Sequence, residues 1–277
     1  MMSIKTQITR IFTNYSLWLF ALSWCTILLI ISCQQQRAPK DLSGYDVLID
    51  SLEVELEFDF STVEIDTSVF VNFELENIEK RLKTGGLVNI KNVDSTISID
   101  LRYSTSNNFM GIDMYADFDA CYLQKDVAEK LMLAQLLLRT QFPNYSLIVY
   151  DGYRPLSVQQ KMWEAVKLSP KEKSKYISNP RNYSLHNFGA AVDVSIINEY
   201  DEPLDMGTAY DYFGVLAYPR KEEELLRKGL LTGTQVQNRK LLREVMGKAG
   251  FEGITTEWWH FNSCTRKEAK SKYKIVE

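Results

Sequence analysis

Alternation between hydrophobic and polar positions predicts β-strands in several parts of the chain. Residues 52–58 alternate strictly, and residues 96–103 do the same before a polar loop. A period of two is typical of a strand with one buried face. Residues 146–150 are instead almost continuously apolar and stop at Asp151 and Gly152, which predicts a compact, buried strand.

Apolar residues at helical spacing predict three helices. The first covers residues 126–140, with apolar positions at Val127, Leu131, Leu133, Leu136 and Leu137. Pro155 can open the second in its first turn, and its inward positions are Val158, Met162, Trp163 and Val166. Thr234 is predicted to cap a third helix over residues 235–248, which Gly250 stops. Strands and helices are interspersed without a regular βαβ repeat, so we predict the α+β class.

The N-terminus has the pattern of an export signal. Lys5 and Arg10 precede an apolar run over residues 17–31, which ends at Ser32 and Cys33. A small residue directly before a cysteine resembles the lipobox of bacterial lipoproteins, which implies cleavage before Cys33 and acylation of its thiol. An uncleaved membrane anchor is the alternative. In both cases the rest of the chain is expected outside the cytoplasm, in the periplasm or at the cell surface, and only the N-terminal lipid or anchor contacts the membrane.

These patterns divide the chain into three predicted parts: an export signal over residues 1–33, an acidic extension over residues 34–85 and a chemical domain over residues 86–277. A chain of 277 residues, of which 45% are hydrophobic, can bury one good core and carry an appendage. The net charge of −4 and the scattered Lys and Arg residues provide no basic field. We therefore expect no nucleic-acid partner.

Cys121 and Cys264 are the two cysteines that lie outside the export signal. Export permits a disulfide between them, and two unpaired thiols are the alternative. Their spacing matches no zinc-binding cysteine pattern.

Only two histidines occur in the chain, and each lies in a cluster of polar and turn-forming residues. The first cluster, residues 184–195, reads SLHNFGAAVDVS and contains His186 and Asp193. Gly189 lets the backbone turn tightly after the histidine, and residues 190–196 then predict a strand. Because successive side chains of a strand point to opposite faces, Asp193 points away from its apolar face.

The second cluster, residues 257–261, reads EWWHF, and its aromatic content favours an extended segment with a bulge or turn near the tryptophan pair. His186, Asp193 and His260 are a ligand set that zinc accepts, and three protein ligands leave a fourth position open. Glu257 is then the expected base for a water at that position. From the residues alone, structural roles for these side chains are an equal alternative, because the self-contained spacing of a His-Glu-x-x-His helix is missing.

Together, the two clusters resemble the signatures of the LAS-type zinc peptidases of bacterial cell walls, which include D-alanyl-D-alanine carboxypeptidases and dipeptidases. The pattern Ser-x-His-x-x-Gly-x-Ala-x-Asp spans residues 184–193, and Glu-x-x-His spans residues 257–260. Five segments in the expected order resemble the dipeptidase branch, peptidase family M15, which includes the enzymes of vancomycin resistance: DLRY at 100–103, NNFMG at 107–111, DGYRP at 151–155, MGTAYD at 206–211 and EWWHF at 257–261. The resemblance begins near residue 86 and says nothing about the first third of the chain.

The resemblance implies a small antiparallel sheet flanked by helices, the LAS or hedgehog-type zinc peptidase fold, with an N-terminal extension. It implies one zinc ion per chain, bound by His186, Asp193 and His260. Glu257 would shuttle a proton from the metal-bound water to the leaving amine, and Arg154 would stabilise the oxyanion.

The substrate that the resemblance implies is the dipeptide D-alanyl-D-alanine, cleaved to two D-alanines. Asp211 matches the acidic residue that receives the free ammonium group. Tyr103 and Ser184 match groups near the terminal carboxylate. The alternative roles for these three residues are a helix cap, a core phenol and a turn hydroxyl.

Two other functions remain compatible with the sequence. A carboxypeptidase or endopeptidase would trim longer wall peptides, and a non-catalytic lipoprotein would bind wall fragments on a decayed peptidase fold. Asp211 favours the dipeptidase over the first, because an acidic group for a free amino terminus suits a dipeptide. The intact ligands, base and arginine argue against the second.

Overall fold

A computed structural model describes residues 62–70, 77–116 and 118–276. The predicted export signal, Cys33 and the predicted strand over residues 52–58 lie outside the described residues and stay predictions. Within the described part of the chain, the α-helices are α1 Ile78–Thr84, α2 Lys125–Gln141, α3 Leu156–Ala165, α4 Pro170–Lys173, α5 Glu222–Arg227, α6 Gly233–Lys248 and α7 Arg266–Lys272. The strands there are β1 Leu87–Asn89, β2 Ser98–Ile99, β3 Tyr122–Gln124, β4 Ser146–Asp151, β5 Ala191–Ile197, β6 Glu252–Gly253 and β7 His260–Asn262. None of the described helices has the length and hydrophobicity needed to span a membrane.

A five-stranded sheet with the order β2-β4-β5-β7-β6 forms the centre of the fold. β2 pairs parallel with β4, and the other neighbouring pairs are antiparallel. β1 and β3 form a separate antiparallel pair. The predicted α+β class is confirmed, but the main sheet is mixed rather than antiparallel. The reason is topological, since α2 lies in the long crossover between β2 and β4 that a parallel pair requires.

β5 is the central strand, and all its residues from Ala191 to Ile197 are buried. The burial includes two polar residues, Asp193 and Ser195. α2 contacts β4, and α6 packs against α2. A buried strand places any charged side chain away from bulk water, where its interactions with neighbouring charges are strong.

Only some of the apolar residues of α2 face the core. Its buried stripe consists of Val127, Leu131, Ala134 and Leu138, with Ala128 and Gln135 beside it. Leu133 and Leu136 are 40% and 62% exposed. Gln135 is buried because its amide donates to Ser146 Oγ at 2.7 Å and its carbonyl accepts from the Leu147 backbone at 2.7 Å.

The strand predicted over residues 96–103 is shorter than expected. β2 ends at Ile99, and residues Arg102–Ser104 form a 3₁₀ turn. The Tyr103 carbonyl accepts a backbone hydrogen bond from Met114 at 2.8 Å instead of continuing the sheet ladder. The chain therefore leaves the sheet here and carries the Tyr103 side chain into the core.

α6 begins earlier than predicted, because Thr232 and not Thr234 is its N-cap. The Thr232 hydroxyl accepts from the Gln235 backbone at 3.2 Å, and the Gln235 side chain accepts from the Thr232 backbone at 2.8 Å. This reciprocal pair is a capping box. Gly250, with a φ of +90°, follows the end of the helix as predicted.

Described residues on the N-terminal side of residue 86 pack against α3 and the loop that follows it. Pro155 is the N-cap of α3 rather than a residue of its first turn as predicted, and Val166 lies just beyond the end of the helix. Val166 forms a β-bridge with Ile65, and the Lys167 backbone donates to the Glu64 carbonyl at 2.9 Å. Of the predicted inward positions of α3, Val158, Met162 and Val166 are buried, whereas Trp163 is half-buried.

Cys121 and Cys264 form no disulfide among the described residues, so the unpaired alternative holds there. Burial raises the pKa of Cys121. Gly152 packs directly against this sulfur, and a Cβ atom at that position would overlap it. The close approach explains why a glycine is needed at Gly152.

Candidate metal centre and active-site cavity

His186 lies on a short 3₁₀ helix, Leu185–Phe188, that directly precedes β5. Ser184 caps this helix, because its hydroxyl accepts from the His186 backbone at 3.3 Å and its own N–H donates to Asn187 Oδ1 at 2.7 Å. Gly189 ends the helix with a φ of +63°. A Cβ there would lie 2.9 Å from a Leu87 methyl group, so both conformation and space favour glycine. This turn fixes the position of His186 relative to β5.

Three neighbouring strands place Asp151, Asp193 and His260 in one row across the sheet. Asp193 on β5 pairs with Asp151 on β4 and with His260 on β7. Residues directly opposite on antiparallel strands have side chains on the same face and close together. The strand register therefore brings together residues that are far apart in the sequence.

One atom from each predicted ligand converges on a common point. His186 Nε2 lies 3.2 Å from His260 Nδ1 and 3.4 Å from Asp193 Oδ1, and His260 Nδ1 lies 3.0 Å from the same oxygen. The second nitrogen of each ring is already engaged: His186 Nδ1 lies 2.8 Å from the Gly152 carbonyl, and His260 Nε2 lies 2.9 Å from Asn262 Oδ1. Because a carbonyl oxygen only accepts, each of these nitrogens carries a proton, so the converging nitrogen is the one that a neutral ring offers to a metal ion.

This triangle of atoms fits a zinc ion. With zinc bonds of about 2.0–2.1 Å and tetrahedral angles, neighbouring ligand atoms lie about 3.3–3.4 Å apart. The three side chains form the metal-type cluster found among the described residues. Burial opposes ionisation of Asp193, but His186 and His260 outweigh burial and hold the pKa of Asp193 well below its usual range. Burial likewise opposes protonation of His260, yet Asp193 raises the pKa of His260 to about 9. An ionised carboxylate with converging imidazoles is an environment that favours a cation.

Glu257 precedes a bend at Trp258 and Trp259, which confirms the turn predicted near the tryptophan pair. Both indoles are buried, and Trp258 Nε1 donates to Thr208 Oγ1 at 2.8 Å. This anchoring carries Glu257 into the same cavity as His260. Burial raises the pKa of Glu257, and the charge of His260 opposes the rise. A glutamate with a raised pKa is better suited to accept and return a proton near neutral pH.

Arg154 is buried and held in a fixed orientation. Its Nε and Nη2 donate to Asp151 Oδ2 at 3.0 and 2.6 Å, and its Nη1 donates to Gln159 Oε1 at 2.9 Å. The guanidinium also lies over the Tyr103 ring, 4.8 Å from its centroid. Burial opposes the charge, but Asp151 outweighs burial and raises the pKa of Arg154. A guanidinium has five N–H groups, and these three bonds leave two for a ligand.

Asp211 stands in the cavity wall with incomplete hydrogen bonding. Its backbone has a φ of +60°, a left-handed conformation that aspartate tolerates. Oδ1 accepts from the Tyr103 hydroxyl at 3.2 Å, whereas the buried Oδ2 has no partner among the described residues. Burial, and then the charge of Asp193, raise the pKa of Asp211 well above its ordinary value. A buried, unsatisfied carboxylate oxygen is costly, and a cationic ligand group would remove the cost.

A single cavity of about 430 Å³ collects these side chains. The structure places eight of the predicted site residues in its wall: Tyr103, Arg154, Ser184, His186, Asp193, Asp211, Glu257 and His260. The ninth, Cys33, lies outside the described residues. The Tyr103 hydroxyl contacts Asp211, and the Ser184 hydroxyl caps a turn, so both also have the structural roles left open by the sequence.

The sequence interpretation missed the residues that orient the predicted ones. Asp151 and Gln159 hold Arg154, Asn262 holds His260, and Tyr210 donates to Asp193 Oδ2 at 3.0 Å. Asp151 and Tyr210 lie inside motifs quoted above, close to residues with predicted roles. Their position in these motifs was the sequence signal that could have identified them. Gln159 and Asn262 carry no signal of their own in the sequence.

A cavity that combines a candidate metal centre with a half-buried glutamate and a fixed guanidinium is typical of the metallopeptidase class. The model of the D-ala-D-ala dipeptidase family, Peptidase M15, matches residues 83–275. The chain therefore belongs to this family, and the resemblance seen in the sequence is confirmed.

Several relatives named D-alanyl-D-alanine dipeptidase are similar to this chain. The protein from Escherichia coli K12 is 29% identical over 178 residues, which cover 64% of this chain and 84% of the relative. The protein from Enterococcus faecium is 28% identical over 178 residues, or 58% of this chain and 83% of the relative. The Synechocystis protein is 27% identical over 177 residues, or 50% and 68%. These relatives support a peptidase that acts on a dipeptide.

Proposed function

We propose that this chain is a zinc-dependent dipeptidase that hydrolyses D-alanyl-D-alanine to two D-alanines. The observation that carries the proposal is the convergence of His186 Nε2, Asp193 Oδ1 and His260 Nδ1 within 3.0–3.4 Å of one another on the wall of one cavity. These three residues would hold one zinc ion. When bound, zinc supplies Lewis acidity that polarises the scissile carbonyl and lowers the pKa of water toward about 7.

Glu257 is the residue that moves the proton in this proposal. It accepts a proton from the attacking water and returns it to the nitrogen of the leaving amino acid. Its raised pKa supports both steps, because the acid form and the base form are then closer in free energy at neutral pH.

Arg154 stabilises the negative charge that develops on the carbonyl oxygen. Its orientation is set in advance by Asp151 and Gln159, so no reorganisation is needed when the charge appears. The two N–H groups left over from these bonds are the donors for the oxyanion.

Asp211 provides the preference for a free amino terminus. Its buried Oδ2, which has no partner within residues 62–70, 77–116 and 118–276, is a site for an ammonium group, which would complete its hydrogen bonding and neutralise its charge. Tyr103 fixes the orientation of this carboxylate through Oδ1. We assign the terminal carboxylate of the substrate to the side of the cavity near Ser184.

The proposal is tested by D-alanine release from D-alanyl-D-alanine and by zinc content of the full-length protein. Glu257→Gln should keep one zinc per chain and lose about 10²–10⁴-fold in kcat. His260→Ala should lose both zinc and activity, and a chelator should reproduce that loss in the wild type. Glu244→Gln is the matched control, because Glu244 is an exposed glutamate on α6 that pairs with Lys248.

Two results would contradict the proposal. One is wild-type protein that binds no zinc, or that keeps full activity after chelation. The other is faster cleavage of a pentapeptide stem than of the dipeptide, which would assign the chain to the carboxypeptidase or endopeptidase alternative.

A further inference from the structure

The two carboxylate oxygens of Asp193 have different partners. Oδ1 is one corner of the triangle of candidate ligand atoms, 3.0 Å from His260 Nδ1 and 3.4 Å from His186 Nε2. Oδ2 points out of the triangle and accepts a hydrogen bond from the Tyr210 hydroxyl at 3.0 Å. A carboxylate can bind a metal ion through one oxygen or through both. The hydrogen-bond partner of the second oxygen therefore affects whether that oxygen also binds the metal.

The Tyr210 hydroxyl is held in place by an aromatic cluster. Its ring lies 5.2 Å from the Tyr150 ring, 5.5 Å from the Trp259 ring and 6.2 Å from the Tyr103 ring, between centroids. These tilted and edge-to-face contacts leave the ring little freedom to rotate away. The hydroxyl is therefore oriented toward Asp193 before any ligand binds.

Tyr210 and Asp211 are consecutive residues with different targets. The Tyr210 side chain reaches the carboxylate of Asp193. Asp211 has a left-handed backbone and presents a carboxylate oxygen that has no hydrogen-bond partner in the described part of the chain. The same short turn thus connects the metal centre to the substrate end of the cavity.

We propose that Tyr210 is a positioning residue that occupies Oδ2 of Asp193 and so restricts this ligand to a single metal-binding oxygen. The inference rests on the proposed zinc site. With Asp193 bound through one oxygen, three protein ligands leave a coordination position for water and substrate. Without the hydroxyl, Oδ2 is free to rotate toward the metal and compete for that position.

Tyr210→Phe separates this role from simple packing, because phenylalanine keeps the ring and its aromatic contacts and removes the hydroxyl alone. In the full-length protein we expect zinc affinity to weaken by about 10–100-fold, as for other groups that orient metal ligands. kcat for D-alanyl-D-alanine should fall while KM changes little. Visible absorption of the Co²⁺-substituted protein should lose intensity, which indicates coordination by more than four atoms.

Tyr150→Phe is the matched control. Tyr150 belongs to the same aromatic cluster, but the hydroxyl that reaches Asp193 is that of Tyr210. The control should keep wild-type zinc affinity and Co²⁺ absorption.

Two outcomes would overturn the inference while leaving the proposed function intact. In the first, Tyr210→Phe matches the wild type in zinc affinity within twofold and in its Co²⁺ spectrum. In the second, Tyr150→Phe loses as much zinc affinity, which would mean that cluster packing matters and the hydroxyl does not. Wild-type protein that binds neither Zn²⁺ nor Co²⁺ would instead overturn the proposed function and this inference together.

Discussion

Asp151 and Asp211 are two carboxylates of the same active-site region, and the structure gives them very different partners. Asp151 lies fully buried behind Arg154 and accepts hydrogen bonds from the guanidinium, from the Tyr115 hydroxyl at 2.8 Å and from the Gly152 backbone at 3.0 Å. Asp211 lies in the cavity wall and accepts a hydrogen bond from the Tyr103 hydroxyl on one oxygen, whereas its other oxygen is unpaired as far as the structure describes the chain.

The difference shows which carboxylate stabilises the fold and which one is available to bind a ligand. A buried carboxylate that pairs with a buried arginine completes a network that the chain itself supplies. A buried carboxylate oxygen without a hydrogen bond has lost its water and gained no partner, which costs free energy. A bound ligand that donates to this oxygen removes the cost. Asp151 is therefore a structural counterion, whereas Asp211 is a recognition group.

Removing the charge of Asp151 is the most severe test of this comparison. Asp151→Asn leaves Arg154 as a buried charge without its counterion, so we expect the free energy of unfolding to fall by about 3–5 kcal/mol. Urea unfolding with a chelator present measures the loss without a contribution from bound metal. Glu244→Gln, which breaks an exposed ion pair, should unfold like the wild type. An Asp151→Asn protein as stable as the wild type would remove the distinction between the two carboxylates.

Asp211→Asn should affect catalysis more than stability. The substrate ammonium would lose a desolvated charge partner, which costs at least about 2 kcal/mol, or about 30-fold in kcat/KM for D-alanyl-D-alanine. Zinc content should stay at the wild-type level, because the variant leaves the metal ligands in place. The same substitution should hardly change cleavage of a dipeptide whose amino group is acetylated. Equal losses for both substrates would show that Asp211 does not recognise the ammonium.

The smallest expected effect is a change in how stability depends on pH. The folded-state pKa of Asp211 is raised above its ordinary value of 3.8, so between the two values the folded protein binds more protons than the unfolded chain. The free energy of unfolding must then fall as pH rises through this window. Asp211→Asn lacks this titration, and its stability relative to the wild type should increase with pH above about 4 in chelated protein. A difference that stays constant with pH would contradict the raised pKa.

The local sequence was sufficient to predict turns and strands whose conformation depends on neighbouring residues. Gly189 indicated the tight turn after His186, the alternation after it indicated β5, and the tryptophan pair indicated the bend before His260. Local signals failed at boundaries that depend on distant groups. β2 ends at Ile99, and the Tyr103 carbonyl bonds to the Met114 backbone, while Leu136 of α2 is exposed although its position is apolar.

The chemical identity of the site was thus determined by the sequence, since its two histidines and their motifs named the side chains that could bind a metal and move a proton. Tertiary structure alone decided which atom of each side chain faces the centre, and which residues hold it there. The Tyr103–Asp211, His260–Asp193 and Tyr115–Asp151 contacts join positions 108, 67 and 36 residues apart. Hydrogen bonds of this range depend on strand register and on the packing of whole elements, and no local pattern of residues encodes them.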